Sequence, residues 1–347
     1  MQKKKSYNVA VIGVGVVGEE MLRCLSHRKF PVDKLKVLAR SSRVIRVDNR
    51  DYQVEAISDK SFEGVDIALF AGTEGEKGAA VIYAPIAIKA GAVVIDNGAD
   101  FRMEETVPLV VPEVNSSDVF HHKGIISNPN CSTIQLVAAL WPIYKLSKIK
   151  RVIITTLQAA SGAGKEAVIE LWNQNKEILE LHNNPIANEH LHIKTVPSAL
   201  PKQIAFNVFP QIGSFKEFSF TTEEWKVVRE SHKIMHDENI KISATCVRVP
   251  VSRGHSESVY IETERELTIK EIHKALENAP GIKLVDDPIA QKYPMPVDCA
   301  GLDDTFVGRI RKDPFEHKGL WLWIVSDNLL KGAALNAVQI AELLIKQ

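Results

Sequence analysis

The sequence predicts an α/β protein, with a doubly wound parallel sheet at its N-terminal end and a second domain of α+β texture after it. Three observations carry the prediction. Up to about residue 130, short β-branched runs alternate with helical stretches, as a parallel sheet crossed by helices requires. A glycine-rich turn, Gly13-Val14-Gly15-Val16-Val17-Gly18, separates the first such run from the first helix. Beyond Cys131 the texture changes to long strands, longer helices and one irregular stretch.

In chain order, strands are predicted over Asn8 to Ile12, Lys34 to Leu38, Val65 to Phe70, Val93 to Asp96 and Gly124 to Ile126. Glu19 to Ser26 and Gly78 to Ala90 read as helices between them. Then come a helix at Ser132 to Tyr144, a strand at Arg151 to Gln158 and a helix starting near Gly164. Residues 177 to 215, rich in Asn, His, Pro and Lys, are predicted to be a long irregular excursion that serves as an interface or lid. Strands Lys241 to Val249 and Ser256 to Glu262, a helix at Ile269 to Glu277 and a terminal helix from Asp327 to Ile345 complete the reading.

Composition narrows the function. The 347 residues are 45% hydrophobic and 25% charged, enough for about two domains with cores of their own. Lys plus Arg and Asp plus Glu both number 43, so no net basic field exists to hold nucleic acid or an anionic membrane. Small molecules are the expected partners. The basic Lys3-Lys4-Lys5 and apolar Val9 to Val17 imitate a secretory leader, but glycines at 13 and 15 interrupt the run and Glu19-Glu20 ends it. A cytoplasmic protein is expected. The four cysteines, at 24, 131, 246 and 299, have no CxxC or Cys/His spacing, so neither disulfides nor a metal site are expected.

The glycine turn lies between strand and helix, where glycines let the main chain approach a pyrophosphate and the helix start offers free N–H groups. A dinucleotide-binding sheet of the Rossmann type follows, with Gly13, Gly15, Val16, Val17 and Gly18 at the cofactor. The next strand ends in Arg40-Ser41-Ser42-Arg43 where NAD sites place an acidic residue. These donors suit a 2′-phosphate, which favours NADP, with NAD the lesser choice and a solvated basic turn the plain alternative.

Cys131, in Ser127-Asn128-Pro129-Asn130-Cys131-Ser132-Thr133, is predicted to stand at a helix start, where dipole and N–H groups favour thiolate and can hold an oxyanion. Inert packing is the alternative, and it is the reading given to the other three cysteines. Arg248 and His255 lie seven positions apart around a glycine turn, offering a carboxylate grip and a proton-transfer group. Arg102 follows a buried strand, at a loop suited to phosphate. Ser161-Gly162-Ala163-Gly164-Lys165 is not a P-loop, because Ala159 and Glu166 break that pattern; it reads as a second glycine-rich approach to cofactor or substrate.

Taken together, several segments resemble the aspartate-semialdehyde dehydrogenase family across essentially the whole chain. They are Ser127 to Ser132, Leu157-Gln158 with Ser161 to Gly164, Val107 to Asn115, Thr245 to Ser256, Phe306 to Arg311, and Ser326-Asp327-Asn328 leading into Lys331 to Gln339. The resemblance implies a dinucleotide domain of residues 1–130 with the C-terminal helix 327–347. It implies a catalytic and dimerisation domain at 131–326, of the glyceraldehyde-phosphate-dehydrogenase-like kind.

It further implies that Cys131 is the nucleophile, His255 the acid/base and Gln158 the residue orienting the acyl group. Arg248 is then the partner of the substrate α-carboxylate and Glu223 of its ammonium, with Arg102, Lys226 and Asn130 at the phosphate. Ser161, Gly162, Gly164 and Asn328 join the cofactor site. The implied reaction is NADPH-dependent reduction of aspartyl phosphate through a thioester, in the biosynthesis of lysine and diaminopimelate, threonine, methionine and isoleucine, by a homodimer or homotetramer. Gly13 to Gly18 departs from the family's usual GxxGxxG turn by one residue and lacks its hydroxyl, which removes a contact to a 2′-phosphate. Another acyl-phosphate reductase, such as N-acetyl-glutamyl-phosphate reductase or a glyceraldehyde-phosphate dehydrogenase, and an inactive cofactor-binding scaffold remain as alternatives.

Overall fold

The computed structural model describes residues 4–72, 78–181 and 191–346. The first half runs β1 (Tyr7–Ile12), α1 (Val16–His27), β2 (Val32–Ala39), β3 (Arg43–Val47), β4 (Arg50–Ala56), β5 (Ile67–Phe70), α2 (Ala79–Lys89), β6 (Val93–Asp96), α3 (Pro112–Asn115) and β7 (Ile125–Ser127). Its strands form one sheet of order β3-β4-β2-β1-β5-β6-β7, parallel throughout except for the β3–β4 hairpin. The chain leaves β1 toward β2 and later returns to its other side at β5. That reversal opens a crevice at the carboxyl end of β1, where the glycine turn lies.

The second half runs α4 (Cys131–Leu146), β8 (Ile149–Gln158), α5 (Lys165–Leu181), α6 (Thr222–Met235), β9 (Lys241–Arg248), β10 (His255–Thr263), α7 (Ile269–Glu277), β11 (Ile282–Leu284), α8 (Pro296–Cys299), β12 (Thr305–Lys312), β13 (Gly319–Ser326) and α9 (Leu335–Ile345). Its sheet has the order β11-β12-β13-β10-β8-β9 and mixes parallel with antiparallel pairs. Apolar side chains of α4, α6 and α7 cover one face of it, with Val152, Ile154, Val259 and Ile261 turned toward them. On the N-terminal sheet, α1 and α9 share a core with one face, while α2 packs on the other. The fold is therefore a Rossmann-like domain joined to a second α/β domain.

Several predicted elements shift. The β3–β4 hairpin was not expected, because its exposed Arg43, Arg46, Arg50 and Asp51 dilute the alternating apolar signal at a sheet edge. Helix α6 was also missed, although Thr221 and Glu224 form a capping box at its start. The excursion begins later than predicted, since residues 177–181 end α5; residues 182–190 lie outside the described residues. The part that follows is anchored on α5, where Glu170 accepts the N–H groups of Ser198 and Ala199 and Gln174 those of Ile204 and Ala205. The terminal helix opens with a π-helical turn, Leu330–Ala334, before α9 proper.

Candidate active site

The nucleophile candidate is the first residue of α4. Asn130 is its N-cap with extended backbone, so the chain turns sharply between β7 and the helix and leaves Cys131 partly exposed. Gly332, in the π-helical turn, presses on it from behind; a methyl group there would stand 2.8 Å from Cys131 Cβ. The pull of the helix start toward thiolate is opposed by burial. Burial pushes the thiol up to about 12 and the negative charge of Glu223 adds to it, while Arg248, Arg102 and the Ser132 N–H oppose incompletely. The other cysteines are buried and unpaired, consistent with packing roles.

Three adjacent strands bring the remaining groups together. Gln158 ends β8 and pairs in register with Arg248 at the end of β9. His255 starts β10, antiparallel to β8 on its other side. Arg248 donates to Ala159 O at 2.6 Å, and the Ala159 N–H donates to His255 Nδ1 at 3.0 Å. An accepting Nδ1 leaves the proton of the neutral ring on Nε2. Burial, helped by Arg248, lowers the His255 pKa to about 3, so the ring is neutral at physiological pH. Gly162 backs onto both groups, because a methyl there would lie 3.0 Å from Arg248 Nη1 and 3.2 Å from His255 Nε2.

Glu223, on α6, ties these strands to the nucleophile. It accepts from Asn130 Nδ2 at 2.9 Å and from Gln158 Nε2 at 3.0 Å, and Lys226 Nζ lies 3.8 Å from it. Burial favours its neutral form, yet Lys226, the two amides and Arg248 together hold its carboxyl below the usual range. The Gln158 amide oxygen is itself fixed by the Thr156 hydroxyl at 3.0 Å. Arg102 comes from the loop after β6 and donates to Asn97 O at 2.7 Å and to Glu230 at 2.9 Å. Glu230 also accepts the Asn130 N–H at 2.7 Å. Sequence reading passed it over, though Glu223, Lys226 and Glu230 share one helix face by their spacing.

A cleft of about 700 Å³ joins the two domains' glycine loops. Gly13, Gly15, Val16, Val17 and Gly18 line it together with Ser161, Gly162, Gly164, Lys165, Glu223, Lys226 and Arg248. Gly18 cannot carry a side chain, since a Cβ would sit 1.9 Å from Gly13 O. Gly15 has open space before it and precedes the α1 N-terminus, which fits a pyrophosphate. A neighbouring cleft of about 600 Å³ shares Gly13 and Gly15 and adds Arg40, Ser41, Arg43 and Tyr83. Two predicted cofactor residues form bonds within the protein. Ser42 accepts the Ala56 N–H on its hydroxyl, which ties together the open ends of the unexpected β3–β4 hairpin. Asn328 is buried, donates to Ser161 Oγ at 3.0 Å and accepts the Gly254 N–H at 2.9 Å, so it braces two site loops.

No group of three or more His, Cys, Asp or Glu side chains that could hold a metal ion occurs among the described residues, and no helix there is long and apolar enough to cross a membrane.

Comparison with known proteins identifies the family. Residues 8–122 match the family model "Semialdehyde dehydrogenase, NAD binding domain" and residues 140–331 match "Semialdehyde dehydrogenase, dimerisation domain". A nicotinamide dinucleotide is thus the cofactor class, and oligomerisation is a property of the second domain's family. The aspartate-semialdehyde dehydrogenase of Aquifex aeolicus is 50% identical over 98% of both chains. That of Bacillus subtilis is 49% identical over 99% of this chain and 98% of its own. Among solved structures, aspartate semialdehyde dehydrogenase II of Vibrio cholerae complexed with ASA superposes with a TM-score of 0.91 at 42% identity, covering 99% of each chain. The chain belongs to the aspartate-semialdehyde dehydrogenase family of oxidoreductases.

Proposed function

We propose that the chain reduces L-aspartyl 4-phosphate to L-aspartate 4-semialdehyde, with NADPH, through a thioester on Cys131. The observation that carries the reading is the hydrogen-bonded chain from the Asn130-Cys131 helix start through Glu223 to Gln158, with Arg248 and His255 on the adjoining strands. Arg248 and a charged Glu223 offer opposite charges at one place, which suits the α-carboxylate and α-ammonium of an amino acid. This favours aspartyl phosphate over the acetylated or sugar acyl phosphates.

Arg102, Lys226 and Asn130 hold the phosphate. Cys131 attacks the acyl carbon as thiolate, its proton passing to the phosphate oxygen as the carbon–oxygen bond breaks, so that hydrogen phosphate leaves. Gln158 steadies the acyl group. NADPH held at the Gly13 to Gly18 turn would supply the hydride for reduction of the thioester. His255 donates from Nε2 to the oxygen that becomes negative there. Return of that oxygen's electron pair to carbon breaks the carbon–sulfur bond and frees the aldehyde, and the sulfur regains a proton from solvent, the one proton the reduction consumes overall.

Arg40, Ser41 and Arg43 beside the glycine turn support NADP over NAD, although Ser42 is otherwise engaged. Packing of α9 on the N-terminal sheet supports residues 1–130 with 327–347 as the cofactor domain and 131–326 as the catalytic one. The second sheet has a less covered face, and α5 exposes Ile169, Trp172 and Leu179, which supports a homodimer, or a tetramer of such dimers. We place the enzyme in the cytoplasm, in the biosynthesis of lysine and diaminopimelate, threonine, methionine and isoleucine.

The test is phosphate-dependent oxidation of aspartate semialdehyde, followed with NADP and with NAD. Turnover with NADP at least tenfold better than with NAD, and at least 10⁴-fold lower in Cys131→Ser, is expected on the order of what nucleophile removal costs. Equal use of NAD contradicts the role of Arg40 to Arg43, and unchanged turnover in Cys131→Ser contradicts the nucleophile.

A further inference from the structure

We infer that Glu230 sets the affinity of the phosphate subsite by offsetting the charge of Arg102, so that phosphate is oriented firmly but bound weakly enough to leave. The inference rests on the reading of Arg102 and Lys226 as phosphate ligands. Glu230 does not face the substrate; it acts through Arg102 and is a positioning residue.

Glu230 is 1% exposed and Arg102 5%, so their 2.9 Å ion pair is scarcely screened by water. Its other carboxylate oxygen takes the Asn130 N–H at 2.7 Å. Asn130 is thus clasped by two carboxylates of one helix, its side chain by Glu223 and its main chain by Glu230. The charge count follows from this arrangement. Glu223 and Arg248 answer the two charges of the amino-acid end and cancel. Lys233 also lies near Glu230, but its ammonium is held on the Arg102, Glu104 and Val107 carbonyls, so what remains for the phosphate is Arg102 and Lys226 against Glu230, a net charge of +1, whereas a phosphate group carries roughly −2 near neutral pH. A subsite built only for tight binding has no use for a buried carboxylate on its arginine. One that releases phosphate at every turnover does.

Removing the charge while keeping the shape separates this role from a structural one. Glu230→Gln can still accept the Asn130 N–H, and Arg102 stays anchored on Asn97 O. A second net positive charge within a few ångströms in a buried site strengthens anion binding by about tenfold or more. The expected result is therefore a KM for phosphate about tenfold lower in the oxidative direction, with the KM for the semialdehyde within about threefold of the parent. Phosphate inhibition of the reductive direction tightens by the same factor. A folded Glu230→Gln whose phosphate KM is unchanged or raised overturns the inference, because a merely structural defect weakens binding. The unaltered enzyme supplies a check if that variant does not fold: its phosphate KM is expected near or above about 1 mM, and a value below about 0.1 mM overturns the inference. Arg102→Leu distinguishes the two readings. A raised phosphate KM there upholds the subsite whatever Glu230 does, and an unchanged one removes the subsite and the inference with it.

Discussion

Two residues show how burial rather than residue type sets the chemistry. Cys131 and His255 have unperturbed values on either side of neutrality, but burial moves them apart, to about 12 and about 3. Burial thus disfavours the charged form of each, thiolate and imidazolium alike. Sequence could locate both residues and could not give their protonation states, which depend on neighbours such as Glu223 and Arg248 from distant segments. Glu257, two residues after His255, makes the same point for stability. It is fully buried and its carboxyl is raised well above the ordinary range by that burial, with the Gln135 amide offsetting only part. The folded chain therefore keeps a proton that the unfolded chain releases above about pH 4.5, so stability falls as pH rises, by up to about 1.4 kcal/mol per pH unit. Glu257→Gln removes this dependence. Its thermal midpoint is expected to exceed the parent's by a margin that widens from pH 5 to pH 8, and a margin independent of pH contradicts the neutral-acid reading.

Among the elements, α6 contributes most to the site and was the least foreseen. Its capping box, Thr221 to Glu224, is a local signal that sequence reading could have used. Its role was not legible, because Glu223 and Glu230 find Asn130, Gln158 and Arg102 only through tertiary packing. The glycine turn was legible because strand, turn and helix are contiguous, and α1 starts at Val16, directly behind Gly15. The end of α5 was read as part of the excursion because only Ile178 of its last turns is buried, while Leu179 and Leu181 are exposed and blur the helical period. Exposed Ile169, Trp172 and Leu179 follow one stripe of α5, and covering such a stripe needs a partner. Light scattering is expected to give a multiple of the 38.6 kDa chain mass for the parent and a shift toward 38.6 kDa for Trp172→Glu. A parent that runs as a monomer contradicts the dimer.

At the scale of the molecule, two sheets meet edge to site. The carboxyl ends of β6 and β7 deliver Arg102, Asn130 and Cys131, and the ends of β8, β9 and β10 deliver Gln158, Arg248 and His255. Arg253 fastens the His255 loop to the cofactor helix, donating to Asp327 at 2.6 Å and to Glu20 of α1 at 2.8 Å. The return of α9 onto the first sheet closes the chain around Cys131 through Gly332. The parallel strands of the first domain were readable as apolar runs, whereas β12 and β13 were not, because their alternating Arg309, Arg311, Trp321 and Trp323 face a less covered surface.

The central claim is that Cys131 carries the acyl group between two separable half-reactions. Mixing the enzyme with aspartate semialdehyde and NADP in the absence of phosphate tests it most directly, because the thioester then has no acceptor. A rapid burst of about one equivalent of NADPH per site is expected, then a stall until phosphate is added, and no burst in Cys131→Ser. Steady turnover without a burst, or a burst that survives in Cys131→Ser, contradicts it.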